Sequence, residues 1–345
     1  MRDLYLACMN DKPRAGINAI RDTWDYVFSE ELKASLHDIV EFDEDSIPQT
    51  GNPSSIGHAL KDARVVLATW GAVPFTKEIL DSCPDLELIL YGAGSFKPLM
   101  TPALEAREVT ICTAAHINAI PTAEYTLGII LSSLKNVYTH NRDIHSRGGI
   151  AWLKDQAGYD GGYFKTKIGL VGYGLITKHL LKLLQSFDMK VFVESDHVSA
   201  HTLAPLGAEK ADLEWIMRNC DVVSLHKSDI PKHHNLIHAQ NLALMKSGAR
   251  LINTARGRII NEEDLVTVLR EGKITAFLDV TFPEPPEEDH PFYSLPNCIL
   301  TPHIAGSIGR EVQRMGDYCL RELRHWLANE SLEKSWSISE ITNRV

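Results

Sequence analysis

Lys167-Ile-Gly-Leu-Val-Gly172-Tyr-Gly174-Leu-Ile-Thr177 decides the fold. Five residues of β character run into two glycines spaced by one. Leu180, Leu181, Leu183, Leu184 and Phe187 then recur at helical spacing. A strand that feeds a helix through a glycine turn is the opening of a parallel α/β unit. Gly172 would permit the tight turn, and Gly174 would let the backbone approach a pyrophosphate. Leu175 and Ile176 then begin a helix whose N–H groups and dipole suit an anion. Thr177 stands where a third glycine usually allows close helix–strand contact.

Working outward, the next run ends Val193-Glu194-Ser195-Asp196-His197. A ribose-binding carboxylate is expected roughly 20 residues after such a turn. Ser195 falls at that point, with Asp196 beside it and no arginine following. An acid there would bind the ribose diol of NAD and repel the 2′-phosphate of NADP, so NAD is favoured and NADP less so. Further strands are predicted at 65–69, 86–91, 109–113, 221–225, 250–253 and 276–279, and a first strand at Met1–Cys8.

A helix is predicted from Asn118 to about Asn136, with Pro121 near its start, where a missing N–H costs little. A looser stretch containing Gly148, Gly149, Gly158, Gly161 and Gly162 follows. Ile308, Val312, Met315, Cys319, Leu323 and Trp326 step by three and four residues and predict a long amphipathic helix near the C-terminus. That helix would return to the N-terminal lobe. The expected organisation is therefore a discontinuous substrate-binding domain, 1–117 with 304–345, and a dinucleotide-binding domain at 118–303.

Composition limits the partners. The chain has 345 residues, 44% of them hydrophobic, enough for two cores. Its net charge of −10 argues against nucleic acid or an anionic membrane as partner, and no apolar run reaches the ~20 residues of a membrane span. The six cysteines form no Cys-x-x-Cys pair; they suggest buried reduced thiols in a cytoplasmic protein, with no metal site.

The chemistry is carried by Leu251-Ile-Asn-Thr-Ala-Arg256-Gly, Asp279-Val, Glu284-Pro and Thr301-Pro-His303-Ile-Ala-Gly306. A cation, a carboxylate and a titratable imidazole, each following an apolar run, are the groups needed to reduce a 2-oxo acid. A guanidinium can hold a carboxylate by two parallel hydrogen bonds, an imidazole can move a proton near neutrality, and a nearby anion favours the protonated ring.

From about Ala63 to Trp326 the chain resembles the D-isomer-specific 2-hydroxyacid dehydrogenases. The matching pieces are collinear: Tyr91-Gly-Ala-Gly-Ser95, Asn118 with Ala123-Glu124, Gly172-Tyr-Gly174, Asp221-Val-Val-Ser-Leu-His226, Asn253-Thr-Ala-Arg256-Gly257, Asp279-Val280 with Glu284-Pro285, and Thr301-Pro-His303. The resemblance implies two Rossmann-like parallel-sheet domains, one flavodoxin-like and one dinucleotide-binding, with a cleft between them that closes on the substrate. It implies Arg256 as the substrate arginine, His303 as the acid/base and Glu284 as its partner. Asp279 would contact the nicotinamide, Thr254 and Ala255 would line the cofactor, and His226 would lie at the adenine side, with Ser228 in place of a proline. Ala93, Gly94 and Ser95 would grip the substrate carboxylate. A homodimer acting on a small 2-oxo or 2-hydroxy acid is expected. The alternative is a nucleotide-sensing binding protein of the corepressor type; a formate dehydrogenase would carry glutamine at Glu284.

Overall fold

A computed structural model describes residues 12–148 and 161–344; the strand expected at Met1–Cys8, Gly149 and Gly158 lie outside the described residues. These residues build two all-parallel sheets. The first runs in the order β1 (Ala15–Asn18), β2 (Val65–Ala68), β3 (Leu88–Tyr91), β4 (Thr110–Thr113). The second contains β5 (Lys167–Val171), β6 (Lys190–Glu194), β7 (Ala208–Lys210), β8 (Val222–Leu225), β9 (Arg250–Asn253), β10 (Thr275–Leu278) and β11 (Cys298–Leu300). Their spatial order is β11-β10-β9-β8-β5-β6-β7. The chain groups into two compact units, one made of the chain up to Asn118 together with Ser307 onward, the other of Ala119–Gly306.

The inner strands are buried on both faces, which is why they read as continuous apolar runs rather than as alternation. In the second sheet, Ile168 and Leu170 of β5 pack beneath Ile130, Leu134, Leu180, Leu181 and Leu184. Val171 turns to the opposite face, among Ile216, Val223, Leu225 and Leu251. In the first unit, Val312, Met315, Tyr318, Cys319 and Leu323 join Ile17, Trp24, Phe28, Leu67 and Leu90 in one core. The five described cysteines are free, and burial pushes the thiols of Cys112, Cys220 and Cys298 up to about 12.

Two helix readings are corrected. The helix expected to open at Asn118 spans Ala115–Leu134, so Pro121 lies inside it rather than at its start. The Thr113 hydroxyl accepts the Ala115 N–H at 3.3 Å and satisfies one donor of the earlier turn. The C-terminal helix is Gln313–Leu327, preceded by a 3-10 turn at Gly309–Val312, and Ile308 is 48% exposed ahead of both.

Within the second sheet, β5 pairs with β6 on one side and β8 on the other. The chain therefore winds in opposite directions from β5, and the carboxyl ends of the strands around such a reversal form the usual ligand crevice of an open parallel sheet.

Candidate active site

At the end of β5 the two glycines have different reasons to be glycine. Gly172 has φ +111, and a Cβ there would lie 2.6 Å from the His226 carbonyl oxygen. Its N–H donates to the Glu194 carbonyl (2.9 Å), while the His226 N–H donates to that of Val171 (2.8 Å), fixing the turn between β6 and β8. Gly174 has an ordinary φ of −117°, and a Cβ would meet nothing within 4 Å. Its neighbours do not demand glycine; the open space above it suits close approach by a bound group. The helix Leu175–Leu184 starts there with no side-chain cap, leaving N–H groups of the Leu175–Ile176 turn for an anion. Thr177 is buried and donates its hydroxyl hydrogen to the Gly172 carbonyl at 2.8 Å. A side-chain bond thus takes the place of the close contact a third glycine would allow.

After β6, the buried Ser195 accepts the His197 N–H at 3.1 Å. The carboxylates on either side are paired by lysines from the segment after β8: Lys227 Nζ lies 2.7 Å from Glu194, and Lys232 Nζ 2.9 Å from Asp196. The bond and charge of Lys232 hold the Asp196 carboxyl below its usual range. An open groove of about 720 Å³ runs past Glu194, Ser195 and Asp196. His226, at the end of β8, is buried with neither ring nitrogen bonded among the described residues. Burial pushes it down to about 4, so the ring is neutral near pH 7. A buried ring without partners fits a polar ligand at this point. Where the family proline would stand, the Ser228 carbonyl lies 2.8 Å from the His233 ring Nδ1.

The other half of the edge is built by two side chains. Asn253 closes the β9 turn: its Oδ1 accepts the Ala255 N–H (3.0 Å) and its Nδ2 donates to the Arg256 carbonyl (2.9 Å). Thr254 and Ala255 are buried in that turn, with the Thr254 hydroxyl 3.2 Å from that of Thr126. The Arg256 guanidinium donates to the Ala255 carbonyl at 2.6 Å, and no carboxylate among the described residues lies within ion-pair distance of it. Asp279, 3% exposed, organises the segment after β11. It accepts the Thr301 hydroxyl (2.6 Å) and the N–H groups of Ile304 (2.9 Å) and Ala305 (2.8 Å), while its carbonyl accepts the His303 N–H (2.9 Å).

These bonds hold His303 at φ +54, a left-handed conformation uncommon for a residue with a side chain. Its ring Nδ1 lies 2.6 Å from Glu284 Oε1, with the side chains 47% and 41% exposed. An exposed pair of this kind contributes only ~0–1 kcal/mol of stability. Its worth is in orienting the ring, because engaging Nδ1 leaves Nε2 to carry or accept a proton.

The structure thus brings the expected residues of the second unit to the carboxyl ends of six neighbouring strands. His303 follows β11, Asp279 and Glu284 follow β10, and Thr254, Ala255 and Arg256 follow β9. His226 follows β8, Gly172 and Gly174 follow β5, and Ser195 and Asp196 follow β6. Ala93, Gly94 and Ser95 belong to the first unit, directly after β3. There Ala93 is buried, and a Cβ on Gly94 would come within 3.3 Å of the Asn118 side-chain amide. Sequence reasoning missed Asn253 as the maker of the β9 turn, Thr301 as a partner of Asp279, and Lys227 and Lys232. Asn253 and Thr301 lay inside quoted motifs. The two lysines gave no signal, because each meets its acid across more than thirty positions of chain.

Comparison with known proteins bears on the family and the fold. Residues 127–305 match the family described as D-isomer specific 2-hydroxyacid dehydrogenase, NAD binding domain. A glyoxylate reductase of Thermofilum pendens is 32% identical over 269 residues, 76% of this chain and 77% of that protein. A D-3-phosphoglycerate dehydrogenase of Haemophilus influenzae is 33% identical over 248 residues, 70% of this chain and 58% of that protein. In fold, the chain matches the apo D-mandelate dehydrogenase of Rhodotorula graminis with a TM-score of 0.79 and 22% identity, over 95% of this chain and 98% of that one. Among the described residues no helix is long and apolar enough to cross a membrane. The chain belongs to the D-isomer specific 2-hydroxyacid dehydrogenase family, and residues 127–305 are its NAD-binding domain.

Proposed function

We propose that this protein interconverts a small 2-oxo acid and its D-2-hydroxy acid, with Arg256 holding the carboxylate and the His303–Glu284 pair moving the proton. The observation that carries the reading is the 2.6 Å contact between His303 Nδ1 and Glu284, made by a ring held in a left-handed backbone, beside a strand end whose arginine has no carboxylate partner among the described residues. Bound NADH would supply the hydride to the carbonyl carbon of the substrate.

The protein's own residues do the rest. Arg256 is free to exchange its 2.6 Å bond to the Ala255 carbonyl for a bidentate bond to the substrate, which also polarises the neighbouring ketone. In reduction the imidazolium gives the Nε2 proton to the substrate oxygen while Glu284 stabilises the charge on the ring; in oxidation the neutral ring takes it back. His226, Gly172, Gly174 and the Leu175–Ile176 helix start are the candidates for holding the dinucleotide, with Ser195 and Asp196 at the ribose and Thr254, Ala255 and Asp279 at the nicotinamide. Asp279 spends three of its acceptor positions on the His303 segment, so it would serve both roles at once. Ala93, Gly94 and Ser95 are the first unit's own candidates for contact with the substrate. A homodimer in the cytoplasm is part of the same proposal. The corepressor-type alternative has no observation in its favour.

The test is the fall in 340 nm absorbance with NADH, and separately NADPH, against glyoxylate, hydroxypyruvate, pyruvate, phenylpyruvate and 2-oxoisocaproate. Turnover of any of these supports the reading, and the best substrate describes the pocket. Bound NADH without turnover of any 2-oxo acid would overturn it.

A further inference from the structure

The segment that carries Glu284 is pressed onto the turn that carries Arg256 at three points. A Cβ on Gly257 would lie 2.1 Å from the Thr281 carbonyl carbon and 2.5 Å from the Phe282 nitrogen, so the two backbones touch and only glycine fits. The Arg258 guanidinium lies 4.0 Å over the Phe282 ring. Between these, Glu262 accepts the Phe282 N–H at 2.8 Å. Pro283, Pro285 and Pro286 have no N–H, so Thr281, Phe282 and Glu284 hold the only backbone donors from 281 to 286.

Glu262 opens the helix Glu262–Arg270, and its side chain is only 14% exposed. The groups facing it are the Phe282 N–H, the His290 ring at 3.9 Å and the Cys298 thiol. Burial pushes its carboxyl up to about 7 against the pull of the Phe282 N–H. A buried acid is a poor device for stability, since an apolar group of the same shape serves as well or better. Its one hydrogen bond among the described residues goes to the backbone two positions before Glu284.

We propose that Glu262 is a positioning residue, holding the Glu284 segment against the Arg256 turn so that the carboxylate stays on His303. The inference rests on the roles assigned above to Arg256, Glu284 and His303. The proposed catalytic groups after β9 and β10 are then set together, by this bond and the two contacts beside it, rather than by two independent loops.

The experiment compares Glu262→Leu and Glu262→Gln, because the glutamine oxygen still accepts an N–H and leucine cannot. Melting curves first establish that both variants fold, and NADH affinity is read by fluorescence. In Glu262→Leu, kcat falls by about 10²-fold, the scale of a displaced catalytic group. KM and NADH affinity stay near wild type. In Glu262→Gln, kcat stays within roughly threefold, since the neutral hydrogen bond survives. Hydrogen exchange on the peptide over 281–286, where three amides report, quickens in the leucine variant and not in the glutamine variant. Wild-type kcat and exchange in Glu262→Leu would overturn the proposal, as would a glutamine variant as impaired as the leucine one. Glu284→Gln is assayed alongside. If exchange responds to Glu262→Leu but Glu284→Gln turns over normally, the clamp stands and the role given to Glu284 fails.

Discussion

At the β9–β11 end of the second sheet, the residues that matter are held by side chains of the recognised motifs themselves: Asn253 bonds Ala255 and Arg256, and Asp279 bonds Thr301, Ile304 and Ala305. At the β5–β6–β8 end, Gly172 and Thr177 fix the turn locally. The charges around Ser195, by contrast, are settled by Lys227 and Lys232, 33 and 36 positions away from the acids they meet. In the first arrangement, loss of Asn253 or Asp279 would remove the bonds that shape the turns carrying Arg256 and His303. The second can vary in which cation meets which acid while the strand ends stay put.

The largest effect expected at the first end is from His303→Gln. Removing the proposed acid/base should lower turnover by ~10²–10⁴-fold, the usual contribution of positioned proton transfer, while NADH fluorescence titrations stay near wild type. Substantial remaining reductase activity would take His303 out of the chemistry and leave the strained backbone at that residue unexplained. Next comes Arg256→Lys. A lysine keeps the charge but loses the planar fork, so kcat/KM should drop about 10–10²-fold, matching the ~1.5–3 kcal/mol of a charged hydrogen bond. Unchanged kinetics would place the guanidinium away from substrate.

How far the molecule can be read from its sequence follows the same division. Inner strands such as Val65–Ala68 and Leu88–Tyr91 are legible because a parallel strand covered on both faces is apolar along its length. Among the described residues, two strands without a long apolar run, Ala208–Lys210 and Cys298–Leu300, lie at the edges of the second sheet. An edge strand has one neighbour and weaker apolar demand, and Ala208-Glu-Lys210 leaves two of its three residues exposed. In the candidate site, the placement of Arg256, Glu284 and His303 at strand ends is legible because each follows an apolar run. Glu262 lies six residues after Arg256, one of three consecutive acids at the start of a helix, with nothing in that pattern to mark it out. Its burial against Phe282 depends on how two loops pack, and no local spacing encodes that.

Glu262 also makes the first end pH-sensitive in a direction that can be measured. Its folded-state pKa of about 7 lies above the ordinary 4.5, so the folded protein binds this proton more tightly than the unfolded chain. Stability is unaffected by the group below about pH 4.5, falls as pH rises toward 7, and carries the full cost above that. Glu262→Gln removes the titration and keeps the bond to Phe282. It should match wild type near pH 4.5 and exceed it by roughly 1–3 kcal/mol at pH 8, a bound set by 1.4 kcal/mol per pKa unit. Denaturant midpoints at the two pH values decide it, and a difference that does not change with pH would remove the buried acid as a cost of the catalytic end.

The smallest effect is expected at the second end, where Ser195→Asp tests whether the ribose sits at β6. Glu194 and Asp196 are already paired with Lys227 and Lys232, so the environment of Ser195 is close to charge-balanced. A new carboxylate between them is unpaired. It can bind a ribose diol and would repel a 2′-phosphate at close range, and partial screening by the two lysines limits the change to about tenfold in the NADH-to-NADPH affinity ratio. Fluorescence titration of each nucleotide measures that ratio without turnover. A ratio that stays at its wild-type value would move the ribose away from Ser195, toward the groove along Asp196 and Lys210, and would mean that this end differs from the catalytic end in where it binds as well as in how it is held.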